Sequence, residues 1–232
     1  MYKHADVRDR PLLLVLYQSG FSEVDVSSLN IEDLPEIYTC EGHHYIAKLR
    51  EKTNILEQTC VSMEAIHDLR IMLRERGNPE KGALFESQKG KRLSVRFLND
   101  AIKRLAEKTF GTEKAKDFQT KNLRDSYKNG LLRAHLDTEI VDKMFGHKRS
   151  GAKEAYQLEQ ALIEESYEKA FKFLSVNHGL QAKTDLLRMD ETLSALSVTI
   201  AKQQEEIKVK PKISRRRTKK TSKKRNSGCS SR

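Results

Sequence analysis

What most limits the fold is how little of the chain reads as β. The stretch "EIYTCEGHHYIAKLREKTNILEQTCVSM" (36–63) gathers Ile37, Tyr38, Tyr45, Ile46, Ile55 and Val61 between the turn-like segments EGHH and EKTN. Short apolar runs bounded by turn residues predict three short antiparallel strands. On both sides of this stretch, apolar residues recur at helical spacing. The sheet is therefore small, and the chain is expected to be α+β and mostly α-helical.

The helical segments carry their own punctuation. "RDRPLLLVLYQSG" (8–20) has Pro11 where a first turn tolerates it and Gly20 where a helix stops. "SEVDVSSLNIEDLP" (22–35) predicts a second helix ending before Pro35. Ile66, Leu69 and Leu73 share one face, and Val95, Leu98, Ile102 and Leu105 another. Leu123, Tyr127 and Leu131 make a third, and Ile140, Val141, Met144 and Phe145 a fourth that Gly146 closes. A further helix is expected to run to Leu174, with His178-Gly179 as a break. Beyond it Leu186, Met189, Leu193, Leu196, Ile200, Gln203 and Ile207 alternate by three and four. That seam suits a coiled coil, or equally an amphipathic helix packed on its own domain. The expected organisation is a folded domain over 1–178, an amphipathic helix over 179–209 and a disordered basic tail over 210–232.

Charge separates the tail from the body. The net charge is +11, yet residues 208–232 hold twelve Lys and Arg and no acid; taking these from 44 leaves 32 basic against 33 acidic residues. Arg215, Arg216, Arg217, Lys219, Lys220, Lys223, Lys224 and Arg225 form the densest part. They are candidates for contact with DNA phosphates, although such a tail can bind any polyanion. No run of eighteen apolar residues occurs, so no membrane span is expected. Three scattered cysteines without CxxC spacing suit a reducing, cytoplasmic setting. Cys40, His43 and His44 lie close in sequence, but no fourth ligand is suitably placed, and no metal is expected.

Four segments, in order, resemble the catalytic domain of tyrosine recombinases, the integrase and Xer-like phage integrase family. "RDRPLLLVLYQSGFSEVDVSSLNIEDL" resembles the opening helix that runs into G-[LF]-R-x-x-E-[LV]. "YIAKLREKTNILEQTCVSM" is similar to the family's β-hairpin, with its lysine at Lys52; Lys48 lies on the same hairpin. "FQTKNLRDSYKNGLL" resembles H-x-L-R-H-[ST]-[FY], with Lys121 at the histidine position and Arg124 at the arginine. "MFGHKRSGAKEAY" resembles L-G-H and the nucleophile, His147 and Tyr156 standing nine apart. The resemblance spans about 150 residues and implies a tyrosine recombinase catalytic-domain-like fold.

It also implies a chemistry that needs no cofactor. Tyr156 would attack phosphorus and leave a 3′-phosphotyrosyl link, conserving the bond energy for rejoining. Arg124 offers a planar fork for two phosphate oxygens. Lys121 and His147 would donate to non-bridging oxygens, and Lys52 would protonate the departing 5′ oxygen. One departure stands out: Ser22 occupies the place of the family's first arginine, with Asp25 where a glutamate is usual. Losing a charged hydrogen bond costs roughly 1.5–3 kcal/mol. Three outcomes follow: an enzyme with one fewer cation, a substitute from Arg8, Arg10 or Arg50, or a protein that binds DNA without cutting it.

A site-specific recombinase or integrase is therefore expected, with double-stranded DNA as partner and a homo-oligomer, a tetramer on DNA, as the working form. The alternatives are a non-catalytic DNA-binding regulator and a type IB topoisomerase-like enzyme. Family members carry an N-terminal helical domain, whereas seven residues precede "RDR". A longer parent chain, an accessory protein or the basic tail would then supply the missing half of the clamp. "LIEESYEKAFKFLSV" (162–176) resembles the terminal helix that members lend to a neighbour, with packing on its own body as the alternative.

Overall fold

The computed structural model describes residues 1–147 and 159–176, with Leu196, Thr199, Ile200, Lys202 and Gln203 beyond them. Two compact units are present, Met1–Asn177 and His178–Arg232. Tyr156, most of the heptad seam and all the tail residues named above lie outside the described residues.

The first unit is built around α1 (Asp9–Ser19), whose Leu12, Leu13, Leu14, Val15 and Leu16 are all buried. A helix apolar on every side belongs inside a core, and α1 packs on α3 (Met63–Glu75) and α6 (Thr120–Arg133). Gly20 ends it with φ of 80°, the left-handed conformation glycine adopts without a Cβ penalty. Its last turn is an anchorage for three elements. The Gln18 carbonyl accepts from the Tyr167 hydroxyl, the Ser19 carbonyl from Thr59 Oγ1, and the Gly20 carbonyl from Arg124 Nη1.

The expected second helix is shorter. α2 covers Glu23–Ser28, with Ser22 as N-cap, and a separate 3-10 turn covers Ile31–Asp33. Leu29 interrupts the pattern because its carbonyl accepts from the Leu84 amide 2.9 Å away, which holds the backbone extended.

The sheet has two strands, not three. β1 (His44–Leu49) pairs antiparallel with β2 (Leu56–Val61), from His44 opposite Val61 to Leu49 opposite Leu56. The segment expected as the remaining strand turns instead, and the Thr39 and Cys40 amides both donate to the Glu36 carbonyl. Its free carbonyls are satisfied by a side chain, Arg70 donating to Ile37 and Cys40. Ile37 and Tyr38 thus look β-forming because Ile37 plugs the core and Tyr38 donates its hydroxyl to the Pro79 carbonyl.

The other α-helices of this unit among the described residues are α4 (Val95–Phe110), α5 (Thr112–Ala115), α7 (Thr138–Met144) and α8 (Gln160–Leu174). α8 packs on its own unit, with Ile163, Tyr167, Phe171 and Leu174 fully buried. Burying each such side chain stabilises by about 1.5–3 kcal/mol. Gly130 on α6 is needed here, since a Cβ would strike Leu174. A polar network locks the end of α8: Glu64 accepts from Gln18 Nε2 (2.7 Å), Ser175 Oγ (2.7 Å) and the Val176 amide (3.0 Å). His43 is wedged against Tyr167 and Phe171, accepting from the Met63 amide at 3.0 Å and facing Glu168 at 3.2 Å.

In the second unit Leu196 and Ile200 are helical and exposed, 54% and 52%. No helix among the described residues is long and apolar enough to cross a membrane.

Candidate active site

Three parts of the chain meet where α7 ends. α6 buries Leu123, Tyr127 and Leu131 on one face, and this turns the neighbouring Arg124 inward. Its guanidinium carbon lies over the Phe145 ring, 4.1 Å from the centroid, a contact worth about 0.5–2 kcal/mol. Nη1 donates to the Gly20 carbonyl, and Nη2 to the Phe145 carbonyl at 2.5 Å. Gly20 is required at that spot because a Cβ would collide with Tyr127.

The hairpin supplies a second guanidinium. Arg50, directly after β1, donates from Nη1 to the Gly146 carbonyl at 2.9 Å. Its Nε stands 3.4 Å from Glu57 Oε2 and 3.7 Å from Asp25 Oδ2. Gly146 has φ of 59°, and a Cβ there would sit 2.5 Å from Arg50 Cδ. Successive carbonyls therefore take one arginine each: Phe145 holds Arg124, and Gly146 holds Arg50. The other two candidates lie elsewhere, Arg8 on Asp9 and Arg10 on the Ala5 carbonyl.

Between the two guanidiniums lies Glu57, completely buried, with Oε1 3.5 Å from Arg124 Nη1. These contacts are too long for tight hydrogen bonds, and neither carboxyl oxygen has a hydrogen-bond partner in the structure. Burial pushes its carboxyl up to about 8; Arg124 and then Arg50 pull the other way, and Asp25 adds to the rise. Burial likewise pulls the Arg124 guanidinium down from its ordinary value, against the pull of Glu57.

His147 follows Gly146, its amide bonded to the Asp142 carbonyl at 2.9 Å and its ring edge-on to Phe145 at 4.6 Å. Its Nδ1 is 3.7 Å from Asp142. Its pKa is lowered, first by burial and then by Lys128, with Arg124 and Arg50 adding to the effect and Asp142 opposing it. Lys128, one turn after Arg124 and 5.5 Å from the Phe145 ring, was not anticipated, although its i+4 spacing from Arg124 is the signal that points to it.

Ser22 caps α2. Its hydroxyl donates to Asp25 Oδ2 at 2.5 Å, and the Asp25 amide returns a bond to it. Asp25 also receives the Glu51 amide at 3.0 Å, fastening the hairpin loop to α2. Lys52, at the hairpin tip and 58% exposed, stands 3.6 Å from Glu23, whereas Lys48 is 17% exposed and faces Asp33 at 3.3 Å. Lys121 is exposed on the first turn of α6 and borders a cleft with Glu23, Lys103 and Phe118. Arg124 and His147 are thus brought together with Arg50, and Lys52 and Lys121 both neighbour Glu23. Among the described residues no cluster of His, Cys, Asp or Glu could hold a metal ion. The His43 ring accepts the Met63 amide of α3 through Nδ1 and turns Nε2 toward Glu168 of α8.

The XerA recombinase shares this fold at a TM-score of 0.52, with 15% identity over 81% of this chain and 58% of that one. The integrase of mycobacterium phage Brujita does so at 0.51 and 17%, over 72% and 53%. In sequence, the tyrosine recombinase XerC of Pseudomonas fluorescens (strain Pf-5) is 29% identical over 140 residues, 60% of this chain and 44% of the relative. XerC of Neisseria meningitidis serogroup C (strain FAM18) is 29% identical over 150 residues, 65% of this chain and 47% of the relative. The chain therefore spans under half the length of these curated relatives. The model of the phage integrase family matches residues 1–161, the same stretch that carries the hairpin, Arg124 and His147. With two thirds of its residues matched, the chain belongs to the phage integrase family.

Proposed function

We propose that this chain cleaves and rejoins double-stranded DNA as a site-specific recombinase, through a 3′-phosphotyrosyl link to Tyr156. The observation that supports this most is the meeting of Arg124 and His147 at the Phe145–Gly146 turn, with His147 nine residues ahead of that tyrosine.

Arg124 holds two oxygens of the scissile phosphate, and its fixed fork aligns phosphorus for in-line attack. The Tyr156 oxygen bonds to phosphorus after losing its proton, which nearby cations favour by lowering a phenol pKa that is ordinarily about 10. The bond from phosphorus to the 5′ oxygen breaks, and Lys52 gives that oxygen a proton. His147 and Lys121 donate to the charge that gathers on the non-bridging oxygens. Attack by a 5′ hydroxyl of another strand reverses each bond change and frees Tyr156. Strand exchange needs several copies on one DNA, so an oligomer is the working form. The basic tail adds affinity through counterion release.

The test uses a pool of nicked duplexes of randomised sequence, incubated with the full chain and denatured in detergent. Covalent protein–DNA adducts are expected from the parent chain and none from Tyr156→Phe. DNA binding by the parent without adducts overturns the proposal in favour of a regulator.

A further inference from the structure

We propose that Arg50, carried on the β-hairpin, is the second phosphate-binding guanidinium of the site and replaces the arginine that resembling sequences place at position 22. The inference rests on the reading of the site as a phosphodiester-cleaving centre.

Serine at 22 cannot take that role at a distance. It is short, and its hydroxyl is committed to Asp25 within the cap of α2. Yet the acid that would hold a guanidinium remains. Asp25 is buried, and its carboxylate faces Arg50 Nε as well as Ser22. A buried carboxylate left without a cation is costly, so its retention beside Arg50 fits an arginine that has moved along the chain rather than vanished.

The geometry places Arg50 as the twin of Arg124. Consecutive residues are about 3.8 Å apart along the backbone, and the two guanidiniums sit on the consecutive carbonyls of Phe145 and Gly146. Both also border Glu57 from opposite carboxyl oxygens, at 3.4 and 3.5 Å. One tetrahedral phosphate is small enough to meet both. Both side chains keep a sliver open to solvent, 14% for Arg50 and 11% for Arg124, so an incoming oxygen can reach them.

Glu57 strengthens the assignment. Glu57, buried in the middle of β2, turns one carboxyl oxygen to each arginine and so holds the two guanidiniums side by side. Its loose contacts keep the guanidiniums available for a stronger acceptor, since a phosphate can offer each a bidentate bond near 2.8 Å. Gly146 completes the set, because any side chain there would displace the Arg50 stem.

A purely structural role for Arg50 makes different predictions. The side-chain Nε–Hε resonances of the full chain, assigned with Arg50→Lys and Arg124→Lys, are followed while inorganic phosphate is added. Arg50 and Arg124 are expected to move together along one saturation curve. Movement of Arg124 alone, or of neither, overturns the proposal. This arm needs no cleavage and reads the response of the parent chain itself.

The second arm measures adducts on the randomised nicked pool. Arg50→Ala is expected to slow their formation about 100–1000-fold, the usual cost of losing one positioned donor. Adding Ser22→Arg to Arg50→Ala is expected to recover part of that loss. A folded Arg50→Ala that forms adducts at the parental rate overturns the proposal. Absence of adducts from the parent chain overturns the recombinase reading instead, and the phosphate titration still judges Arg50.

Discussion

Two glutamates of this protein are almost equally buried and could hardly be treated more differently. Glu64 accepts bonds of 2.7–3.0 Å from Gln18, Ser175 and the Val176 amide, all neutral donors. Glu57 is flanked by two guanidiniums at 3.4–3.5 Å and has no proper hydrogen bond. The first is a closed network that fixes α8. The second is an open one, with donors held near but not saturated. Satisfied buried polar networks make rigid structure, whereas a buried carboxyl with only long contacts adds little rigidity of its own.

That contrast can be broken experimentally, most severely at Arg124. Arg124→Ala is expected to lower covalent adduct formation about 100–1000-fold, measured on the nicked pool, while the thermal midpoint moves far less than the rate. An equal collapse of folding would put Arg124 in the same class as the Glu64 network.

At Glu64 the order reverses. Glu64→Ala leaves Gln18, Ser175 and the Val176 amide without their acceptor, at about 1–3 kcal/mol for each orphaned group, not fully additive. The expected loss is about 2–4 kcal/mol in chemical denaturation, with amide exchange of α8 rising first.

Glu57 gives the sharper test through pH. Its folded carboxyl holds its proton to about 8, whereas its ordinary value is 4.5. Between these values the folded state keeps a proton that the unfolded chain has released, so stability falls as pH rises. Glu57→Gln removes that dependence, and its stability advantage over the parent should grow from pH 5 to 8 and then level off. Adduct formation by the parent should also fall above pH 8. Ionised Glu57 then joins Asp25 in offsetting the charge of Arg50 and Arg124. The glutamine variant should lack that decline, and an unchanged alkaline limb would show that another group causes it.

The smallest effect is expected at Ser22. Ser22→Ala removes a cap from α2 and should cost about 1 kcal/mol in thermal or denaturant unfolding.

Much of this arrangement is legible in the sequence, and the exceptions have physical causes. The spacing of Leu123, Tyr127 and Leu131 gave the buried face of α6, and through it the inward Arg124. Gly146 marked the end of α7. Both strands of the hairpin were legible on either side of EKTN, even though "LEQTCV" has no polar–apolar alternation, because Glu57, Gln58 and Thr59 are enclosed as fully as Cys60 and Val61. The missing third strand is one of the exceptions. Ile37 has the right residue type, but Arg70 satisfies its carbonyl where a neighbouring strand would have done so. Composition cannot foresee such a side-chain substitute for a ladder. Arg50 was one of three arginines that suited the gap at position 22, and only the folded hairpin sets it apart. Glu57 was the overlooked clue, an acid in a core strand that implies a cation close by.

The final turn of α1 has a consequence for any shortened form of this protein. Gln18, Ser19 and Gly20 offer consecutive carbonyls to Tyr167, Thr59 and Arg124. The seat of α8 and the aim of Arg124 are therefore cut from the same few peptide bonds. A version ending at residue 158 would keep Arg50, Glu57, Arg124 and His147, yet the backbone that points Arg124 would lose its brace from behind.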